Sequence, residues 1–309
     1  MPTRGLIPLT LLITAGLAHG EPPCLDPLIE RVSLRLRTAP AGLRPRLAPV
    51  PDPALTSHAL RLQADAGELD LDWTDAQAVE ALLADTVRAT RAAEPEHGAD
   101  MLAVYTAGPV DRAPFYLPLA NDVRGIGYGR LGLAPTETFR SAVDPRLDGV
   151  AFLGDLPTAL AEPVEAERLF LHELGHRWGV YVHLADGGDA LLGRNCRHWS
   201  AFVDAGDAPL EGHRWSPVAG GWRADAPQPP LRYAPLTRYL MGLIPLDEVP
   251  PIERLAVAAP PCDEPARNGE PNPRWRALGP ADPPWVQTAE RVAHPAAQVV
   301  AAEGPRLPA

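Results

Sequence analysis

The chain has 309 residues and a formal net charge of -11, with 39 acidic against 28 basic side chains. Its arginines are scattered rather than clustered, which excludes a general nucleic-acid surface, because phosphate recognition needs a basic stripe or patch. A hydrophobic content of 46% allows a sizeable core, while 38 prolines and only 6% aromatic residues imply long irregular connections.

Arg4 precedes an apolar run from Gly5 to Leu17, and Ala18 and Gly20 place small residues around a cleavage point after Gly20. The run is too short to span a bilayer, so residues 1–20 read as a Sec-type export leader. Glu21-Pro22-Pro23 before Cys24 lacks the small and aliphatic residues of a lipobox. No later run is long enough to cross a membrane. The expectation is therefore a secreted or periplasmic chain without stable membrane insertion. In that oxidising setting one pair among Cys24, Cys196 and Cys262 should form, with Cys196–Cys262 preferred.

Residues 21–56 are Pro-rich and read as a leader or linker with little regular structure. Residues 57–260 carry the organised pattern, and 261–309 read as a Pro-rich C-terminal extension. Leu60-Arg61-Leu62-Gln63 and Leu69-Asp70-Leu71 suit half-buried strands joined by a hairpin through Ala64–Gly67. Thr74-Asp75-Ala76-Gln77 starts a helix with Val79, Leu82, Leu83 and Val87 at helical spacing and a stop near Glu94-Pro95. Met101–Tyr105 and Phe115–Leu119 read as strands, the second placed at an edge by Pro118.

Gly125-Ile126-Gly127-Tyr128-Gly129 resembles a dinucleotide loop only superficially, because no helix opens after it. It reads instead as a glycine-rich edge strand beside the active-site cleft, where an extended peptide could pair, with a plain surface loop as the equal alternative. Gly149–Leu153 is a short buried strand. The order predicts an α+β fold with a mixed sheet, an active-site helix and a loop-rich C-terminal part.

That helix carries Leu171-His172-Glu173-Leu174-Gly175-His176-Arg177-Trp178-Gly179. One helical turn separates His172 from His176, so both imidazoles leave the same face and can share a tetrahedral Zn2+, with Glu173 beside them as general base. Pro163 suits the first turn, Glu165 and Glu167 suit the positive end of the helix dipole, and Gly179 reads as the stop. Gly175 between the histidines implies that something approaches closely there.

A catalytic zinc takes a third protein ligand and keeps an open position for water. His183 would have to return across a sharp reversal at Gly179. His198, in Cys196-Arg197-His198-Trp199-Ser200-Ala201-Phe202, has loop length enough to come back freely and is the preferred ligand, ahead of His183, His213, Asp204 and Asp207. Ser200 or Asp204 would orient its second nitrogen. Tyr239 is a possible oxyanion donor beside its reading as an ordinary buried tyrosine. Asp186, Asp189, Asp204 and Asp207 show no calcium-loop spacing.

With Tyr239-Leu240-Met241-Gly242-Leu243 added to HELGHRWG and RHWSAF, the stretch from about Ala103 to Pro251 resembles a group of secreted bacterial zincin proteins with an H-E-x-x-H helix. The resemblance implies a metzincin-like zinc-peptidase fold in which Met241 is similar to the methionine of a Met-turn. The chain departs from the metzincin pattern at Val182, where a ligand histidine would stand, and His183 comes one residue late. The expected function is hydrolysis of peptide bonds in a protein or peptide substrate. A non-catalytic exported peptide-binding protein on the same scaffold is the alternative.

Overall fold

The computed structural model describes residues 9–14, 47–50, 59–64, 76–93, 100–106, 113–128, 147–193, 196–206, 208–226, 231–257, 275–277, 284–287 and 289–308. It is α+β, as the element order predicts. The chain divides at Leu174/Gly175 rather than at residues 56 and 260, with Asp122–Leu133 belonging to the second unit.

Among the described residues, the sheet of the first unit is made of β1 (Leu9–Thr14), β2 (Leu47–Val50), β3 (Ala59–Ala64), β4 (Met101–Thr106), β5 (Phe115–Pro118) and β6 (Gly149–Asp155), in the order β2-β3-β1-β4-β6-β5. β4 and β6 are parallel and the other neighbours antiparallel, so the sheet is mixed. Every residue of β4 is buried, which is what a strand covered on both faces requires of its continuous apolar run. Pro118 has no ladder N–H and stands on the outermost strand, where that absence is tolerated. α1 (Ala76–Ala93) buries Val79, Leu82, Leu83 and Val87, the residues of helical spacing. Its buried Thr86 and Thr90 hydroxyls each donate to the carbonyl four residues back at 2.8 Å.

Asp155 ends β6 and caps α2 (Leu156–Ala161), accepting from the Thr158 N–H at 2.8 Å. α3 (Pro163–Gly175) follows at once. Leu169, Phe170 and Leu174 of α3, with Leu156 and Ala159 of α2, pack on Met101, Ala103, Tyr105, Tyr116, Ala151 and Leu153. These helix side chains are partly buried, so each contributes less than the about 1.5–3 kcal/mol of full burial, but together they fix how α3 is rotated on the sheet.

The second unit carries two further sheets, ordered β12-β13-β10-β9 and β14-β11-β7-β8. Their strands are β7 (Trp199–Asp204), β8 (Glu211–His213), β9 (Trp215–Val218), β10 (Gly221–Ala224), β11 (Ile252–Ala256), β12 (Trp275–Ala277), β13 (Pro284–Gln287) and β14 (Glu290–His294). Phe202, Trp215, Ala224, Leu255 and Val286 form a shared core. Arg291 donates to Asp204 at 2.6 Å, pairs with Glu253, and lies over the Trp222 ring at 5.2 Å. Short helices α4 (Pro235–Leu240) and α5 (Ala297–Glu303) complete the unit.

Three expectations need correction. The segment read as a linker supplies β2, and the supposed C-terminal extension supplies β12, β13, β14 and α5. Prolines at strand starts and edges are compatible with pairing, so their number misleads. Gly125–Gly127 is a bend in which Arg124 bridges Leu307, and the edge strand is Phe115–Pro118. Within the apolar run read as an export leader, residues 9–14 form β1, with Leu9 opposite Leu62 and Leu11 opposite Val104. Cleavage after Gly20 would withdraw that strand and bare the facing edges of β3 and β4. The hairpin through Ala64–Gly67 lies outside the described residues.

Candidate metal centre

His172 and Glu173 lie in the last turn of α3, which ends at Gly175, one turn earlier than the expected stop at Gly179. Trp178 and Gly179 donate their N–H groups to the Gly175 carbonyl at 2.9 and 3.1 Å, so His176 opens a tight turn. The His176 ring nitrogen Nδ1 faces the Gly179 carbonyl at 3.2 Å. Donation there keeps the proton on Nδ1 and leaves Nε2 as the lone-pair ligand. The Tyr181 hydroxyl donates to the His176 carbonyl and ties the outgoing chain back to the turn.

His198 is held by its neighbours' backbone. The Arg197 carbonyl accepts from Val180 at 3.0 Å, the His198 carbonyl accepts from Gly193 at 2.8 Å, and the Trp199 N–H donates to Leu210 at 2.9 Å. The buried Trp199 indole also donates to Thr237 at 3.1 Å, linking this strand to α4. Cys196, two residues before His198, is disulfide-bonded, and its partner lies outside the described residues. The result is that His172, His176 and His198, all buried, bring ligand atoms within 4.8 Å of one another. Ligands bound at 2.0–2.1 Å to one tetrahedral zinc stand about 3.3 Å apart, so small ring rotations close the set. The His176 and His198 rings meet edge to face, with centroids 4.8 Å apart.

The other ligand candidates are engaged elsewhere. The His183 backbone N–H and Nδ1 both address Glu303 Oε1, at 2.8 and 2.9 Å. His213 lies edge to face with Trp215, and Asp204 is paired with Arg291. Burial nonetheless raises the Asp204 pKa, outweighing the nearby guanidinium. Asp207 lies outside the described residues. Ser200 accepts from the Phe202 N–H, so neither expected partner of His198 is in that role. The carboxylate at His198 is Glu211, with Oε1 3.7 Å from Nε2. Asp186 closes a local turn on the Gly188 N–H.

Tyr239, offered both as an oxyanion donor and as an ordinary buried tyrosine, is engaged by the C-terminal segment. It is buried in α4 and its hydroxyl accepts from the Arg306 N–H at 3.2 Å. Arg306 further donates to the Leu240 and Met241 carbonyls at 3.0 and 3.3 Å. Tyr239 is thus a packing group for the C-terminal segment, because a satisfied hydroxyl is what a buried tyrosine needs. The tyrosine at the metal helix is Tyr233. A Cβ built on Gly175 would lie 3.0 Å from Tyr233 Cε1 and from Leu210 Cδ1, so the glycine admits both side chains. Burial raises the Tyr233 pKa above that of an ordinary phenol. The signal for Tyr233 was Gly175 itself, which announced a close neighbour without naming it. Glu211 left no signal in the pattern.

Among the described residues no helix is long and apolar enough to cross a membrane. No family model, curated protein or solved structure matches the chain.

Proposed function

We propose that the chain is a zinc-dependent metallopeptidase on a zincin-like fold, hydrolysing peptide bonds in protein or peptide substrates. The observation that carries this reading is the convergence of three buried histidines, two of them flanking a buried glutamate on one helix turn. The donor set fits zinc: three neutral imidazoles leave one tetrahedral position open, the arrangement of catalytic rather than structural sites. When bound, zinc supplies an acidified water and a Lewis acid for the scissile carbonyl. His172, His176 and His198 would hold it, with the Gly179 carbonyl fixing the tautomer of His176. Glu173 accepts a proton from the attacking water and passes it to the departing amine.

Glu173→Gln keeps the shape of the site and removes its base. The variant should retain one zinc per chain by mass spectrometry while casein cleavage falls by at least roughly 100-fold, the usual contribution of a positioned base. Equal cleavage by both proteins would overturn the mechanism, and metal binding without turnover in the native chain would favour the peptide-binding alternative.

We place the protein outside the cytoplasm. The disulfide at Cys196 supports this, since such bonds persist in oxidising compartments. N-terminal sequencing of the exported chain tests the leader: a start at Glu21 supports it, and a chain retaining Leu9–Thr14 contradicts it.

A further inference from the structure

Glu211 is one of two described non-glycine residues with positive φ, at +68°. This region is uncommon for a residue with a side chain, and such outliers concentrate at functional sites. Gly212 follows at +78°, where a Cβ would meet the Ala205 Cβ at 2.6 Å. Two successive left-handed residues therefore open β8. Its pairing with β7 slips between Trp199↔Glu211 and Asp204↔His213, a bulge of the kind that re-aims a side chain beside a site. Leu210, just before, is pinned by the Trp199 N–H and packs against Gly175. The irregularity has a direction. It brings the Glu211 carboxylate to 3.7 Å from His198 Nε2.

Exposure distinguishes this carboxylate from the groups around it. His172, Glu173, His176 and His198 are 7%, 5%, 8% and 3% exposed, whereas the Glu211 side chain is 32% exposed. Glu211 thus sets a partly exposed negative charge beside the most buried of the three histidines. We propose that Glu211 is a specificity residue that receives an ammonium group of the substrate, either the free N-terminal amine or a lysine side chain next to the scissile bond. The proposal rests on the metallopeptidase reading for its substrate class. The contact is carboxylate to ammonium, one charge-assisted hydrogen bond at the edge of a buried site. A glycine would adopt the left-handed backbone at this position more easily, yet a carboxylate stands there.

The test uses binding, so it does not require turnover. The full chain, loaded to one zinc, is titrated calorimetrically with leucine hydroxamate, N-acetyl-leucine hydroxamate and N-acetyl-lysine hydroxamate. The hydroxamate anchors on the metal, and the three compounds carry an ammonium at the α-position, nowhere, or at the end of the side chain. The native chain should bind one of the two amine-bearing compounds roughly ten-fold more tightly than N-acetyl-leucine hydroxamate, the size of one charge-assisted contact. Which of the two it prefers identifies the source of the ammonium. Glu211→Gln should lose the preference while keeping zinc and its affinity for N-acetyl-leucine hydroxamate. Glu211→Gly should lose it too and unfold at no lower temperature than the native chain. Equal binding of all three by the native chain, no binding of any, or a preference that survives in Glu211→Gln would overturn the assignment. Hydroxamate selectivity without peptide cleavage would defeat the peptidase reading and leave Glu211 in this role.

Discussion

Replacing Gly175 by alanine sets two effects of opposite sign against each other. At an ordinary helix position the change gains up to about 1 kcal/mol of propensity. Here the new methyl would lie 3.0 Å from Leu210 Cδ1, Leu210 Cγ and Tyr233 Cε1, inside the optimal carbon separation of about 3.5–4.0 Å. Leu210 is fully buried and its carbonyl holds the Trp199 N–H, so it cannot retreat without moving the residue beside His198. Overpacking at such a place costs about 1–3 kcal/mol. Packing should outweigh propensity, for a net loss of roughly 1 kcal/mol and a Tm lower by about 2–4 °C. Thermal unfolding of metal-free Gly175→Ala, Leu210→Ala and the double variant checks this. Because Leu210→Ala removes two of the colliding atoms, the double variant should be more stable than the sum of the singles by about 1 kcal/mol. A higher Tm for Gly175→Ala, or strict additivity, would refute the reasoning.

His198→Ala should reduce bound zinc well below one per chain after dialysis, whereas His183→Ala should keep its metal and lose only some stability, since His183 faces Glu303. Full metal in the first with loss in the second would exchange their roles. Tyr105 and Tyr233 have phenols whose pKa values are raised by burial, so both stay protonated in the folded state where an unfolded tyrosine ionises, near pH 10. The unfolded state then holds fewer protons, and stability that is complete below about pH 10 is lost as pH rises towards the folded values. Denaturant midpoints between pH 8 and 11 should fall at the alkaline end, and Tyr233→Phe should flatten that fall; an unchanged slope would count against it.

The metal pair was legible because its spacing is a helical period: His172 lies in the last turn of α3, and the turn that follows Gly175 still brings His176 beside it. Phe115–Pro118 was legible as an edge because proline cannot donate to a ladder. What stayed hidden depends on contacts distant in sequence. Residues 9–14 are as apolar as a leader and as a strand, and periodicity cannot separate the two uses. The helix stop was placed four residues late because Trp178 continues the apolar pattern while the backbone has already turned at Gly175. Tyr233 just before α4 and Tyr239 within it stand close together in sequence, and only the fold assigns one to Gly175 and the other to Arg306.

The clamp made by Arg306 also bears on the order in which the chain can mature. Its guanidinium closes on the Leu240 and Met241 carbonyls and on Pro308, and the neighbouring Leu307 exchanges both backbone hydrogen bonds with Arg124. During vectorial emergence from a ribosome or an export channel, all three histidines arrive more than a hundred residues before that arginine. Until it arrives, the carbonyls at the end of α4 are left to water, and the bend at Arg124 has no partner strand. The metal ligands can therefore meet early, but the segments that Arg306 and Leu307 brace remain provisional until the end of the chain has docked. A nascent chain would pass through a state in which its three histidines can meet before its tail is locked.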